Sequence, residues 1–477
     1  MSNRYCLFAI ACLSVFNVNA QQITRCATPA PDPDWDVAFN RMVEQNKINN
    51  PAFRIASGKT YTIPVVFHIL HSGQAEGTYP NLSQKLINEQ VAILNADYAG
   101  VGYNSSALAS LTNGGHPAFY DYAKDSSLSA PDNNGTVVGT STITFGLANQ
   151  DPSGNPLSEP GIDRVNVNTR GWTNPVSFSY YLDLVSYLEN TIKPNTIWDP
   201  SRYFNVWMSD ENASNTMLGY AEFPALSTLS GLNSGAGGSS NATVSTDGCF
   251  AVAYSVGNSD TISKQYNLGR TLTHESGHYL GLRHIWGDGN GCMDDYCKDT
   301  PPAADFNLYG DDTGNSTFTY PYHVGSCVGN SPDGEMYMNF MDYSDDRFMI
   351  MFTHDQIARM YTALDSAPYR KGLTAASATL CGPFVAGINR VQVSSSVSVF
   401  PNPSSNGVFT IGLSFPCQTD VSVRVNNVLG QTVDTQLIKN VMNQTVRLDL
   451  SAATPGNYFI SFSTDSGIIS KKIVITR

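Results

Sequence analysis

The most constraining stretch of this sequence is T-H-E-S-G-H-Y-L-G-L-R-H-I-W, at positions 273–286. Residues four apart share one face of a helix, so His274 and His278 can point their imidazoles at the same ion. Gly281 allows the chain to leave the helix with a positive φ, and His284 can then return as a third ligand. Three nitrogen ligands with an open fourth position predict a catalytic rather than a structural zinc site.

The glutamate inside this motif is the predicted general base. Glu275 lies on the adjacent part of the helix face, close enough to touch a water at the metal without displacing a ligand. The alternative is an ordinary helix that happens to carry three histidines. Five specified positions in eleven residues argue against it, and the chain has only eight histidines in total.

A second motif, M-N-F-M-D-Y-S-D-D, occupies positions 338–346. A methionine turn beneath the three histidines, with a tyrosine two residues later, completes the metzincin metallopeptidase signature, and Met341 and Tyr343 fit these positions. Alone, Met341 would be interpreted as an ordinary core methionine. In this context the sequence predicts that Met341 forms an apolar floor under the ligands and that Tyr343 stabilises an oxyanion.

The segments around both motifs resemble the pappalysin family of metzincins. The matching segments are YTIPVVFHIL (61–70), RYFNVWMSD (202–210), LGYAEFP (218–224), YNLGRTLTHESGHYLGLRHIWGDG (266–289) and MNFMDYSDD (338–346). The resemblance implies a zinc endopeptidase acting on proteins or peptides, with an α/β (α+β) catalytic domain built on a five-stranded twisted mixed sheet. It also implies that the antiparallel edge strand, here Leu218–Phe223, binds extended substrate by strand pairing.

The hydrophobic pattern agrees with an α/β plan for a catalytic domain at 58–373. Predicted strands occupy 61–70, 142–148, 203–208, 218–224 and 249–256. Predicted helices occupy 83–98 and 178–192, the second ending before Pro194, besides the histidine helix and one that Thr353 and Gln356 open as a capping box.

The N-terminus predicts export. Residues 1–20 combine Arg4, a mostly apolar core and a small residue at Ala20, which is typical of a secretory signal cleaved after Ala20. The alternative is a buried N-terminal helix. The acidic net charge of −13 argues against nucleic acid as a partner, and no other apolar run is long enough to span a membrane in the mature protein.

Residues 21–57 are rich in Pro, Asp and Asn, and they predict a propeptide. A thiolate of Cys26 can occupy the open zinc position and hold an enzyme latent. Some pappalysins carry a similar Arg-Cys near the mature N-terminus. The alternatives are a disulfide, an exposed thiol, or the same role played by the carboxylate of Asp34 or Asp36.

Seven of the nine cysteines follow the predicted signal, and an exported chain permits disulfides. Because seven is odd, at least one thiol is unpaired or used differently. We expect Cys292 or Cys297 to pair with Cys327 and brace the loop between the two motifs. The family usually has another cysteine just past the methionine turn, where this chain has Phe348 and Met349 instead.

The segment after the third histidine is dense in acidic side chains. The candidates are Asp288, Asp294, Asp295 and Asp299. Hard oxygen ligands at this density, together with the calcium found in family members, predict a calcium site. A solvated acidic loop is the alternative.

Asp346 lies five residues after Met341, where the resemblance implies the wall of the pocket for the side chain after the scissile bond. A shielded carboxylate favours arginine, which can bond both of its oxygens, and so predicts cleavage before Arg or Lys. The alternative is that Asp346, like its neighbour Asp345, simply faces solvent or binds calcium.

The sequence changes character near the C-terminus, where segments of alternating apolar and polar residues are separated by Gly, Pro and Asn. This pattern predicts a small all-β sandwich at 395–477 after a linker at 374–394. Five short segments of this region resemble the type IX secretion sorting domain. They are FPNP (400–403), LG (429–430), LDL (448–450), GNY (456–458) and KK (471–472). The resemblance implies the type IX machinery as a partner, followed by release or surface attachment. The alternative is a carbohydrate-binding or adhesive sandwich.

Taken together, these features predict a secreted zinc endopeptidase made as a latent precursor. One alternative is a non-catalytic surface adhesin that uses the zinc fold as a scaffold, and the intact Glu275 argues against it. The other is a zinc hydrolase of non-peptide substrates, which the methionine turn and the edge strand argue against.

Overall fold

The structure is a computed structural model. It describes residues 24–31, 33–49, 60–100, 138–215, 217–226, 243–258, 266–289, 291–308, 323–329, 334–375, 397–464 and 467–476. The predicted signal peptide, most of the predicted linker and most of a Gly-, Asn- and Ser-rich segment at 99–140 lie outside these residues.

The main sheet is mixed and has seven strands within the described ranges. They are β1 (Thr24–Cys26), β2 (Tyr61–His71), β3 (Ile143–Leu147), β4 (Ile162–Asn166), β5 (Phe204–Ser209), β6 (Met217–Ala221) and β7 (Cys249–Val252). The order is β1-β6-β7-β5-β2-β3, and β4 extends the sheet by pairing with β2. All pairings are parallel except that of β6 with β7. The sheet thus contains the five predicted strands, with β1 and β4 in addition.

The helices cover the sheet and carry the site. They are α1 (Pro33–Asn49), α2 (Gln84–Tyr98), α3 (Tyr181–Tyr187), α4 (Lys193–Thr196), α5 (Arg270–Tyr279), α6 (His354–Ser366) and α7 (Pro368–Ala375). The predicted apolar face of α2, from Ile87 to Tyr98, is buried against the sheet core. The predicted capping box of α6 is present, since Thr353 and Gln356 bond each other's backbone N–H.

One helix boundary was predicted wrongly. The prediction ended a helix before Pro194, but α3 continues through a π turn (Leu188–Ile192) into α4, which includes this proline. Pro194 lies in the first turn of α4, directly after the π turn. The π turn absorbs the change in backbone register that would otherwise have ended the helix.

The segment predicted as a propeptide contains a long helix. α1 buries Trp35, Phe39 and Val43 against Phe223 and Ala363, forming an apolar cluster of its own. The helix is therefore amphipathic, since these three apolar residues form one buried face although most of its other residues are polar. The N-terminal segment is therefore packed onto the catalytic domain rather than extended over it.

The C-terminal unit is all-β, as predicted. Its strands are β8 (Val397–Phe400), β9 (Val408–Asn427), β10 (Thr432–Asp449), β11 (Gly456–Thr464) and β12 (Gly467–Ile475). They pair antiparallel in the order β10-β9-β11-β12, with β8 on β9, and enclose a separate apolar core. The pairing of β9 with β10 is irregular near Val441. The predicted arrangement as two stacked sheets stays a prediction.

Two further features concern export. Cys292 and Cys327 form a disulfide, which decides between the two predicted partners of Cys327, and Cys297 is a buried free thiol. Of the helices in the described ranges, none has the length and apolar character that crossing a membrane requires.

Candidate active site

The histidine motif lies on α5, which is buried along its whole length. His274 and His278 are one turn apart, and the chain turns at Gly281, whose φ is +92°, so that His284 returns to them. Their Nε2 atoms form a triangle with edges of 3.1–3.2 Å. Tetrahedral ligands about 2.0–2.1 Å from a zinc ion lie roughly 3.3 Å apart, so the three nitrogens fit this ion.

The other ring nitrogen of each histidine has a fixed partner. Nδ1–H of His274 donates to the Phe340 carbonyl and that of His278 to the Leu282 carbonyl, both at 2.7 Å. Nδ1 of His284 contacts the carboxylate of Asp288. Because the ring protons are on Nδ1, the three Nε2 atoms carry lone pairs that face one another. A cation bound between them would remove the repulsion between these lone pairs. Burial also lowers the pKa of His278 to about 3, which keeps the ring neutral and available as a ligand.

Glu275 is fully buried beside this triangle. Its Oε2 accepts hydrogen bonds from the Thr28 hydroxyl at 3.0 Å and the Cys26 thiol at 3.4 Å. Its Oε1 has no hydrogen-bond partner in the described part of the chain. Burial raises the pKa of Glu275 to about 8. Its unused oxygen Oε1 is the atom that could take a proton from a water molecule.

Met341 and Tyr343 lie next to the histidines, where the second motif predicted them. The Met341 sulfur abuts Gly277 so closely that any side chain on Gly277 would collide with it. The Tyr343 ring packs 5.0 Å from that of His284, and its hydroxyl donates to the Cys26 carbonyl at 3.2 Å. Because the tyrosine hydroxyl already bonds a peptide carbonyl beside the site, it is placed where an oxyanion would need a donor.

The N-terminal segment enters the site as strand β1. Its backbone pairs in parallel with the edge strand β6, with Cys26 opposite Gly219. The Cys26 sulfur and the three histidine nitrogens lie within 4.8 Å of one another, and among the described residues this is the one such cluster of metal-binding side chains. Burial, and then the nearby Glu275 carboxylate, raise the pKa of the Cys26 thiol, so its thiolate form needs a cation beside it.

Asp346 is buried completely, which excludes the alternative of a solvent-facing carboxylate. It accepts backbone hydrogen bonds from Leu268 at 3.0 Å and Arg270 at 3.2 Å. Its third partner is the guanidinium of Arg25 at 3.0 Å, which lies over the Tyr266 ring at 4.6 Å. The Asp346 carboxylate is thus paired with the arginine side chain of the N-terminal segment.

Several functional contacts were missed from the sequence. Arg25, Thr28 and Asp36 all bond catalytic-domain side chains, and Asp36 pairs with Arg283 rather than approaching the histidines. The alternative that Asp36 fills the metal position is therefore not supported. The Arg-Cys pair was the one signal available, since a basic residue beside a predicted metal-binding thiol requires an acidic partner elsewhere.

The four aspartates of the predicted calcium site do not lie together. Asp288 contacts His284, whereas Asp294 is exposed and accepts the Tyr296 N–H. Asp295 accepts hydrogen bonds from the Thr300 hydroxyl and the Cys297 N–H, and Asp299 accepts the Asp355 N–H. Burial raises the pKa of Asp295 to about 8 and that of Asp299 to about 7. The calcium site stays a prediction.

The sheet, the histidine helix, the methionine turn and the buried glutamate define a metzincin-type zinc metallopeptidase domain. A peptidase family model described as pregnancy-associated plasma protein-A matches residues 187–365, and a secretion system C-terminal sorting domain matches residues 398–476. Residues 187–365 thus resemble the pappalysin metallopeptidases, and residues 398–476 resemble secretion sorting domains, which agrees with secretion or an outer-surface location.

Named relatives agree with this assignment. An extracellular metalloprotease of Arthroderma otae is 33% identical over 32% of this chain and 47% of its own length, so the chain spans about half of that relative. One from Colletotrichum graminicola is 24% identical over 71% of this chain and 88% of its length.

Solved structures also resemble this fold. Mature mirolysin of Tannerella forsythia, in complex with a cleaved peptide, is 26% identical with a TM-score of 0.50, over 68% of this chain and 99% of that one. A promirolysin mutant of the same organism is 25% identical with a TM-score of 0.50, over 74% and 97%.

Proposed function

We propose that this protein is a secreted zinc endopeptidase, made as a latent precursor, that cleaves peptide bonds preceding arginine or lysine. The observation that carries the proposal is the occupation of the whole site by one strand of the N-terminal segment. Cys26 lies at the histidines, and Arg25 lies in the Asp346 pocket. We propose 21–57 as the propeptide and 58–373 as the catalytic domain.

Zinc bound by His274, His278 and His284 would supply Lewis acidity and lower the pKa of a bound water. Glu275 would take a proton from the attacking water at its carboxylate and pass it to the leaving amine. The Tyr343 hydroxyl would donate to the carbonyl oxygen as negative charge develops there.

Latency in this proposal has two parts. The Cys26 sulfur would fill the fourth ligand position, which excludes the nucleophilic water. The Thr28 hydroxyl donates to Glu275 at 3.0 Å and accepts the Ala221 N–H at 2.9 Å, so it bridges the general base and the edge strand. One oxygen of the general base is thus hydrogen-bonded to Thr28, whether or not Cys26 fills the fourth ligand position.

The preference for a cation after the scissile bond is supported by the contacts of Arg25. Its two terminal nitrogens bond Asp346 at 3.0 Å and the Ser344 carbonyl at 2.9 Å. Removing the propeptide would leave a buried carboxylate with two backbone N–H partners and an aromatic wall. A substrate arginine could form the same bonds to Asp346 and to the Ser344 carbonyl, whereas an uncharged side chain would form no ion pair with Asp346.

Casein digestion tests the proposal. The processed protein should cleave casein, a chelator should stop the cleavage, and Glu275→Ala should abolish it while zinc remains bound, because Glu275 is not a ligand. Retained activity in Glu275→Ala above a few per cent of wild type would contradict its role as the base. Absence of cleavage by the wild type would favour the adhesin, and chelator-sensitive hydrolysis of esters alone would favour a non-peptide hydrolase. Mass spectrometry of the products would then identify the residue after each cut.

A further inference from the structure

The third histidine differs from the other two in what holds its ring. His274 and His278 donate to neutral backbone carbonyls, whereas Nδ1 of His284 contacts a carboxylate oxygen of Asp288. The His284 ring is also stacked on Trp286, with centroids 4.3 Å apart and an angle of 10° between the planes. One side chain therefore fixes the edge of this ring, and another fixes its face.

Two features fix the position of the Asp288 carboxylate, namely a left-handed backbone conformation and a hydrogen bond from a buried arginine. Its φ is +63°, in the left-handed region, which aspartate and asparagine enter more readily than other residues with a Cβ. Its side chain is 8% exposed, and its second oxygen accepts a hydrogen bond from Arg283 at 2.8 Å. Both oxygens are thus used, one by the histidine and one by the arginine.

We propose that Asp288 is a positioning residue of the metal site, which fixes the tautomer of His284 and increases the electron donation of its Nε2 to the ion. The inference rests on the proposed function only in taking His284 as a zinc ligand. A carboxylate on the far nitrogen makes an imidazole a stronger donor than a carbonyl does, and such partners contribute measurably to metal affinity. It also gives Asp288 a different role from the calcium ligand that the sequence predicted.

Arg283 connects this pair to the N-terminal segment. Its Nε donates to Asp36 at 3.0 Å, and a second nitrogen of the guanidinium also bonds that carboxylate. The arginine thus lies between the carboxylate of α1 and the carboxylate that holds a zinc ligand. Because Arg283 keeps Asp36 as a partner in the full-length chain, removing the charge of Asp288 there does not leave a buried arginine without a counterion.

The test compares zinc affinity in the full-length protein carrying Asp288→Asn, Asp288→Ala or Asp305→Asn. Asparagine keeps the preference for the left-handed backbone and an oxygen that can accept from Nδ1–H, but it removes the charge. Asp305 is an exposed carboxylate in the same region and is the control. Competition with a chromophoric chelator should show zinc affinity lower by roughly ten- to a hundredfold in Asp288→Asn, at least as low in Asp288→Ala, and unchanged in Asp305→Asn.

Two spectroscopic readouts separate positioning from general loss of structure. The visible bands of the cobalt-loaded protein should shift in Asp288→Asn, because the donor strength of one ligand has changed. In the zinc-loaded wild type, one of the three ligand Nδ1–H protons should resonate well downfield of the two that bond carbonyls. This second measurement needs no variant, so it decides the matter even if Asp288→Asn does not fold.

The proposal is overturned if Asp288→Asn binds zinc as tightly as wild type with unchanged cobalt bands, or if the three Nδ1–H signals are alike. These readouts are independent of peptide cleavage. A wild-type protein that cleaves nothing would contradict the proposed function, yet the affinity ratio would still test Asp288.

Discussion

At the scale of single residues, the site is built from buried charges that are stable only in pairs. Arg25 is 1% exposed and Asp346 is 0% exposed, and each is the other's counterion. Breaking a buried pair by removing one partner costs about 3–5 kcal/mol, because the remaining charge is left without compensation. The same energy that holds the propeptide would therefore favour a cationic side chain of a substrate once Arg25 has left.

Asp346→Asn tests this pocket. The change keeps the size of the side chain and one acceptor for the backbone N–H groups, but removes the charge. We expect kcat/KM of the processed enzyme to fall by roughly ten- to a hundredfold for a peptide with arginine after the scissile bond, and to change little for the matched leucine peptide. Asp345→Asn is the control, since Asp345 pairs with Arg347 instead. The pocket assignment fails if the wild type does not prefer the arginine peptide, or if Asp346→Asn retains the preference.

The two parts of latency can be separated in the same way. Cys26→Ala should raise the activity of the unprocessed protein, because nothing then fills the fourth ligand position. Thr28→Val removes the hydroxyl that bonds Glu275 and should raise activity further in combination, whereas Thr28→Ser keeps that hydroxyl and should not. The measurement is hydrolysis of an arginine peptide by precursor in which processing is blocked. A Cys26→Ala precursor as inactive as the parent would show that the thiol is not the switch.

Sequence reasoning succeeded for residues whose position follows from spacing along one element. His274 and His278 share a helix face, so four-residue spacing was enough to bring them together. It could not find the partners of Glu275 or Asp346, because those lie about 250 and 320 positions away in the chain. Asp288 was predicted as a calcium ligand from the density of acidic residues, and composition could not reveal its left-handed backbone, which depends on the packing around it.

At the scale of elements, α1 is a second anchor for the N-terminal segment, separate from β1. Phe39 is fully buried, stacks on Trp35 with ring centroids 4.6 Å apart, and lies 5.0 Å from the guanidinium of Arg359. A side chain on Gly281 would collide with the Phe39 ring, so the turn that returns His284 to the metal site is also the surface on which α1 sits.

Phe39→Ala should loosen this anchor. Truncating a buried phenylalanine costs about 3–5 kcal/mol, and here the loss falls on the docking of α1. We expect amide hydrogen exchange across 33–49 to become at least about tenfold faster, and activating cleavage of the precursor to speed up. Val37→Ala is the matched control on the same helix, because Val37 is 60% exposed. Equal protection of α1 in Phe39→Ala and Val37→Ala would contradict a packing role for Phe39.

The elements that sequence reasoning missed have weak patterns of their own. β4 reads I-D-R-V-N, and only its two apolar residues are buried, so it lacks the continuous run that marked β2. β1 is three residues long and forms because β6 offers a free edge, not because of its own propensity. The zinc helix and β2 were predictable because spacing or a long buried run specified them locally.

At the scale of the whole molecule, the described residues form separate apolar cores. The largest cluster extends from Cys26 to Leu373 and includes the helices and sheet around the site. Another contains only residues between Val397 and Ile475. A unit with its own core and its own turn signals is expected to fold alone, which is the property that a sorting domain needs if it is read by the secretion machinery.

Deleting residues 395–477 tests this division. The truncated protein should keep the peptidase core intact, because among the described residues the cluster around the site includes none after Leu373. We expect its thermal unfolding midpoint and its kcat/KM, after purification and processing, to match those of the full-length protein within error. In cells it should accumulate in the periplasm instead of reaching the outer surface. Leu437→Ser in the intact chain is the control, because Leu437 is exposed and lies outside the segments that resemble the sorting domain, so it distinguishes loss of the domain from a general effect of surface change. If the purified truncated protein loses activity, the C-terminal unit is part of the enzyme. If the truncated protein is still exported, the C-terminal unit is not the sorting signal.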